Sequence, residues 1–134
     1  MAIKLAGKKG LTPAQLQKVL FLVKQNFTNE LKGFYDFKPY NYGPFDKQIY
    51  NDAEELKQVG YIKLVRQDGH SWSMYIIEDD FDNSKYPALL KADEKISRYL
   101  KLLIDWAQKL SFEQLIASIY NHYPEYKINS VFRG

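Results

Sequence analysis

A helix that ends in glycine and runs directly into a hairpin is the feature that most constrains this sequence. The segment DKQIYNDAEELKQVG opens with Asp46, which fits a helix N-cap, and closes with Gly60, which fits the left-handed residue that stops a helix. Its buried face is predicted from the helical spacing of Ile49, Ala53 and Leu56. We therefore expect a helix over residues 46–59.

Strand formers follow that helix at once, in two runs at residues 61–66 and 71–77. Between the runs stands Asp68-Gly69, a strong hairpin signal. A helix followed directly by a hairpin is the order of a winged helix, in which the recognition helix precedes the wing. The sequence therefore predicts a winged-helix-like core.

Four further segments complete the predicted order of elements. Thr12-Pro13 fits the N-cap and first position of a helix that runs to about Phe27. Residues 33–42 fit an extended edge segment, and residues 93–109 carry a long helical stripe. A capping box starts a last helix, at Ser111 and Gln114. We predict one domain, 1–134, of the α+β class and mainly helical: helix, extended segment, helix and β-hairpin, plus two C-terminal helices.

Composition excludes several classes of protein. The 134 residues include no cysteine, which excludes disulfides, thiolate catalysis and cysteine-ligated metals. No apolar run approaches the roughly 20 residues that span a bilayer. We expect a cytoplasmic chain with no membrane partner.

Residues suited to catalysis or metal binding do not form a recognisable motif. His70 and His122 each lack a second histidine at helical spacing, so neither predicts a metal site. The acidic residues within 78–82 lack the spacing of a calcium loop. Phosphate loops, nucleophile elbows and dinucleotide fingerprints are absent from the sequence. We predict no enzymatic activity and no cofactor.

Three segments together resemble a known family: LTPAQLQKVLFLV (11–23), YNYGPFDKQIYNDAEELKQVGYI (40–62) and LSFEQLIASIYNHYPEYKINS (110–130). They are similar to the Panacea, or SocA-like, antitoxin domain and its YwgA-like relatives. The resemblance covers most of the chain in the right order. It implies a small, mainly helical cytoplasmic domain of a prokaryote or phage. Antitoxin members of the family neutralise a partner toxin by direct contact.

The alternative function is a winged-helix transcriptional regulator that binds DNA. The helix from 45 to 59 has a net charge of −2, whereas a helix that lies in a DNA groove is normally basic. DNA contact would therefore depend on other basic residues, in the hairpin and in an N-terminal basic arm formed by residues 1–10. These candidates are Lys4, Lys8, Lys9, Lys63, Arg66 and His70.

A protein partner fits the aromatic composition better. The chain contains eleven Tyr and eight Phe, many of them within residues 34–45. Tyrosine is favoured at interfaces because its ring is apolar and its hydroxyl is polar. We predict a partner surface formed by Tyr40, Tyr42, Lys47 and Tyr50, and an edge near Pro39 to which a partner strand can add. A homodimer and a structural role within a larger complex are left open.

Overall fold

The computed structural model describes residues 2–66, 73–77, 94–128 and 130. These residues form an α+β fold that is mainly helical and carries two small antiparallel hairpins, which confirms the predicted class. In chain order the elements are α1 (Ala2–Leu5), a 3-10 turn (Gly7–Lys9), α2 (Pro13–Asn26), β1 (Lys38–Tyr40), β2 (Gly43–Phe45), α3 (Lys47–Gln58), β3 (Ile62–Arg66), β4 (Ser73–Ile77), α4 (Glu94–Gln108), α5 (Phe112–His122) and a second 3-10 turn (Pro124–Lys127).

Side-chain caps start three of the helices where the sequence predicted them. The Thr12 hydroxyl accepts a hydrogen bond from the Gln15 amide at 3.1 Å, and the Gln15 side chain accepts one from the Thr12 amide at 2.9 Å. The same reciprocal box, formed by Ser111 and Gln114, begins α5. A carboxylate oxygen of Asp46 accepts from the Gln48 amide at 2.9 Å and caps α3. The predicted starts of α2, α3 and α5 are therefore confirmed.

Helix α2 lies at the centre of the core. Its stripe of Leu16, Val19 and Val23 is buried, as the periodicity predicted, and Phe21 on another side is buried as well. Helix α4 packs against it with Leu100, Ile104 and Ala107, and α5 adds Leu115, Ile116 and Ile119. Two polar residues of α2, Gln17 and Lys18, are buried with the apolar ones. Because α2 is enclosed on most of its sides, the polar groups of these two side chains need hydrogen-bond partners inside the protein.

The predicted hairpin after α3 is confirmed, with Ile62 opposite Ile77 and Arg66 opposite Ser73. Leu11 pairs with the other edge of β4, because its amide donates to the Tyr75 carbonyl at 3.1 Å and its carbonyl accepts from the Tyr75 amide at 2.7 Å. The expected turn at Asp68-Gly69, together with His70 and the acidic residues of 78–82, lies outside the described residues.

The segment expected to be one extended edge instead contributes to a hairpin, the first of the two along the chain. Strand β1 pairs antiparallel with β2, which places Pro39 opposite Pro44 and Tyr40 opposite Gly43. Gly43 has a φ of +95°, a conformation that lets the chain reverse within the Tyr-Gly-Pro sequence. Sequence periodicity missed the pairing because two facing prolines have no amide hydrogens to share.

The N-terminal residues belong to the folded body, which differs from the basic arm that the lysines suggested. Ala2, Ile3 and Ala6 are buried in the core. The Gln108 side chain of α4 donates to the Ala6 carbonyl at 3.1 Å and to the Gly10 carbonyl at 2.9 Å. The apolar residues between the lysines therefore decide the position of this segment.

Gly10 offers a test of that packing. It has a φ of +69°, and an added Cβ would lie 2.5 Å from the Tyr75 carbonyl oxygen. Gly33 is a matched control, since its φ is +84° and an added Cβ meets nothing within 4 Å. We expect Gly10→Ala to lower the free energy of unfolding by about 1–3 kcal/mol more than Gly33→Ala does. Urea denaturation measures both, and equal losses would contradict the close approach of Gly10 to β4.

Candidate functional site

The candidate site is built on a pair of hydrogen bonds between a buried glutamine and the chain that enters α3. The Gln17 side chain donates to the Asp46 carbonyl at 2.8 Å and accepts from the Asp46 amide at 3.0 Å. The amide of one side chain thus satisfies both backbone groups of one residue, as a neighbouring strand would. Gln17 thereby fixes the point at which the first hairpin becomes α3.

Lys18 holds the same hairpin one residue further along α2. The residue is only 4% exposed, and Nζ donates to the Pro44 carbonyl at 3.1 Å. Burial lowers the pKa of Lys18 to about 8. A Cβ added to Gly43 would make only ordinary contacts, 3.5 Å from the Tyr120 ring and 3.9 Å from Lys18 Cε. The positive φ of the turn, and not a lack of space, therefore favours glycine at this position.

Asp46 links the hairpin to the segment before it. One carboxylate oxygen caps α3, and the other accepts from the Asp36 amide at 2.6 Å. The first two segments of the family resemblance are therefore in direct contact: Gln-Lys of α2 binds the backbone of Gly-Pro-Phe-Asp. Their joint presence in the sequence has a structural reason.

The hairpin presents an arc of aromatic rings at the surface. Tyr40 stacks on Phe45 with ring centroids 5.0 Å apart, and Phe45 meets the edge of Tyr50 at 5.3 Å. On the other side of the turn, Tyr42 meets Phe112 of α5 at 5.2 Å. Tyr40, Tyr42 and Phe112 are 53%, 44% and 39% exposed. We call the five residues Tyr40, Tyr42, Phe45, Tyr50 and Phe112 the aromatic arc.

A groove of about 760 Å³ separates the two ends of the arc. Tyr50 and Phe112 both line it, and so do the first turns of α2 and α5. Its floor is mostly apolar and includes Met74 and Leu115. The groove therefore lies between Tyr50 and Phe112, the two residues of the aromatic arc that line it.

The residues predicted to bind a partner all lie in this region, but they differ in how exposed they are. Tyr40, Tyr42 and Lys47 are exposed, whereas Tyr50 is half-buried, and its burial raises the pKa of its hydroxyl. Phe112 belongs to the arc and was not predicted. Phe112 lies three and four positions before the buried Leu115 and Ile116, so helical spacing places it on the buried stripe of α5 and gives no signal of its exposure.

Tyr35 and Asp52 form a second polar arrangement, on the opposite side of α3 from Tyr50. The Tyr35 hydroxyl donates to one carboxylate oxygen of Asp52 at 2.5 Å, and the Gln48 side chain donates to the other at 2.7 Å. Burial and the Asp52 carboxylate raise the pKa of Tyr35, so its hydroxyl stays protonated. The Lys24 ammonium donates to the Tyr35 carbonyl, where the backbone has a positive φ of 55°.

Among the residues proposed for DNA contact, the two described on the β3–β4 hairpin do not share a face. Lys63 and Arg66 lie three positions apart on β3, so they point to opposite faces of the hairpin. Lys9 is exposed at the end of the first 3-10 turn. The side chains of Lys4 and Lys8, and the whole of His70, lie outside the described residues. Glu54 and Glu55 are exposed on α3.

The expected open edge near Pro39 is partly covered. The second 3-10 turn packs beside β1, and the Ser130 hydroxyl donates to the Asn41 carbonyl at 3.2 Å. Addition of a partner strand at β1 would require this part of the chain to move. The exposed rings of the arc, rather than the strand edge, are therefore the accessible feature of the hairpin.

Within the described ranges, no group of three or more His, Asp or Glu side chains is arranged to hold a metal ion. The helices of that same part of the chain are too short or too polar to cross a membrane. Comparisons with protein-family models, with curated proteins and with solved structures give no match.

Gln17→Leu tests the link between α2 and the hairpin. The substitution leaves the Asp46 amide without its partner, at a cost of about 1–3 kcal/mol. It also removes one of the two hydrogen bonds to the Asp46 carbonyl, which keeps the Ile49 amide at 3.2 Å, at a cost of about 0.5–1.5 kcal/mol. We expect the free energy of unfolding to fall by about 2–4 kcal/mol in urea denaturation, with faster amide hydrogen exchange in residues 36–46. Gln58→Leu, at the exposed end of α3, is the control and should change stability by less than about 0.5 kcal/mol. A Gln17→Leu loss as small as the control's would contradict the assigned role.

The lowered pKa of Lys18 predicts that the stability of the protein depends on pH. This pKa is about 8 in the folded protein and 10.5 in the unfolded chain, so the unfolded state binds more protons between these values. Stability therefore rises with pH in that window, and the full penalty of burying the ammonium applies below it. Relative to Lys18→Met, the wild type should gain about 2 kcal/mol between pH 7 and pH 9.5.

Urea denaturation of both proteins at the two pH values measures this gain. Titration of the tyrosines is common to both proteins and cancels in the difference. A difference that does not change with pH would show that Lys18 keeps its ordinary pKa.

Proposed function

We propose that this chain is a non-enzymatic, antitoxin-like domain that binds a protein partner in the cytoplasm and neutralises it by covering the partner's active surface. The contact is the aromatic arc together with Lys47. The observation that carries this proposal is the exposure of Tyr40 and Tyr42 on a hairpin whose base is held by buried side chains. Large exposed aromatics on a fixed backbone are well suited to protein recognition.

Preorganisation supports this use of the hairpin. Lys18 binds the backbone of the return strand and Gln17 binds that of the next residue, Asp46, so less conformational entropy remains to be lost when a partner binds. Tyrosine adds large contact area while only two side-chain torsions become ordered. The groove between Tyr50 and Phe112 offers a place for an apolar side chain of the partner.

We propose a winged-helix-like frame for this surface. Leu11 forms an isolated β-bridge to Tyr75 of β4, and α2, α3 and the β3–β4 hairpin follow in the winged-helix order. In such a frame α3 stands in the reading position. Its exposed Glu54 and Glu55 favour contact with protein over contact with phosphates, which they would repel.

The alternative, a DNA-binding regulator, has less support. Strong binders neutralise about six to ten phosphates with basic side chains on one surface. Lys63 and Arg66 point to opposite faces of β3, and the acidic α3 precedes them. A protein partner requires no such basic surface.

Co-purification with the product of the neighbouring gene tests the proposal. The wild-type chain should retain that protein, and the double variant Tyr40→Ala, Tyr42→Ala should bind it at least about 30-fold more weakly, as expected for a loss of about 2 kcal/mol at a hot spot. Leu102→Ala is a matched control, because Leu102 is an exposed apolar residue on α4. It should leave binding unchanged.

The unfolding transitions of all three proteins are measured in parallel. They show whether each variant is folded under the conditions of the binding experiment, so that a loss of binding is not mistaken for a loss of structure. Survival of the complex in the tyrosine variant would remove the aromatic arc as the contact. Failure to form any complex, combined with retention of duplex DNA that weakens steeply with salt, would favour the regulator instead.

A further inference from the structure

A cavity of about 310 Å³ lies where α1, α2, α3 and α4 meet. This volume is at the lower end of the range of about 300–1,000 Å³ that is typical of small-molecule pockets. Twelve of its fourteen lining residues are apolar, among them Ile3, Leu16, Val23, Leu56 and Leu100. The aromatic arc contributes none of them, so the cavity is separate from the proposed partner surface.

The polar groups of the lining are confined to one place. They are the Tyr35 hydroxyl and the Asp52 carboxylate, which are hydrogen-bonded to each other at 2.5 Å. Apolar walls with a small number of placed polar groups are the usual composition of a ligand site. The apolar walls can hold the hydrocarbon part of a ligand. The Tyr35 hydroxyl and the Asp52 carboxylate then determine which polar head group can bind.

Asp52 is the one charged residue among the fourteen that line the cavity. No Lys or Arg within the described ranges forms an ion pair with Asp52. The Lys24 ammonium, which borders the open groove outside Tyr35 and Asp52, donates to the Tyr35 carbonyl. Tyr35 and Gln48 each donate one hydrogen bond to a different carboxylate oxygen. Because a carboxylate oxygen can accept two hydrogen bonds, each retains capacity for one more donor.

We propose that this cavity binds a small primary amine with an aliphatic or aromatic body, whose ammonium group binds Asp52. The body occupies the space between the four helices, where burial of each methylene strengthens binding by about fourfold. The ammonium supplies the donors and the positive charge that the carboxylate lacks, in a partly buried place where such a pair is strong. Carboxylate and phosphate ligands are repelled by Asp52.

Calorimetric titration of the full chain with n-butylamine, n-hexylamine and n-octylamine tests the proposal. We expect saturable binding that tightens by about fourfold per methylene until the cavity is filled. Hexan-1-ol should bind at least about tenfold more weakly than hexylamine, and hexanoate should bind more weakly still. No saturable binding of hexylamine, or equal binding of hexylamine and hexanoate, would overturn the proposal.

Two variants locate the site. Asp52→Asn retains an acceptor for the Tyr35 hydroxyl and removes the charge, so it should abolish the preference for hexylamine over hexanol. Ala53→Leu adds volume from a buried position in the lining and should weaken all the ligands together. An unchanged preference in Asp52→Asn would overturn the assigned head-group contact. If Ala53→Leu fails to fold, Asp52→Asn and the ligand series still test whether the amine binds Asp52.

Discussion

The paired hydrogen bonds between the Gln17 side chain and the backbone of Asp46 are the interaction on which the rest of the structure depends. Gln17 is fully buried and Asp46 is half-buried, so an unpaired amide at either partner would be costly and the two specify each other. The contact fixes the last residue before α3, and Lys18 fixes Pro44 beside it. The position of the first hairpin and the direction of α3 both follow from it.

The β1–β2 hairpin illustrates how much depends on this anchor. Two strands of three residues, with Pro39 facing Pro44, would be marginal in isolation. Side chains of α2 supply the interactions that the backbone ladder lacks. The same arrangement leaves the outer faces of Tyr40 and Tyr42 exposed, which turns a weak hairpin into a rigid platform for aromatic rings.

The side chains of helix α3 point in different directions around its axis, so they reach three places: the core, the groove and the cavity. Ile49 and Ala53 are buried in the core. Tyr50 and Asp52 are two positions apart, hence about 200° apart around the helix, and they reach the groove and the cavity respectively. The acidic surplus that weighs against DNA binding includes Asp52, to which the proposed amine binds. One helix thus separates the two proposed functional regions of the protein.

The sequence by itself determined helices α2 to α5, the starts of α2, α3 and α5, and the β3–β4 hairpin, because caps, helical stripes and strand runs act within a few residues of one another. Thr12, Asp46 and Ser111 are of this kind. Only the tertiary structure decided that residues 38–45 form a hairpin, that Phe112 joins the aromatic arc and that the N-terminal residues are packed. Those outcomes rest on contacts between distant parts of the chain: Gln17 and Asp46 are 29 positions apart, and Gln108 and Ala6 are 102 apart. No local pattern records such pairs, since their energy depends on burial that exists only after the core has formed.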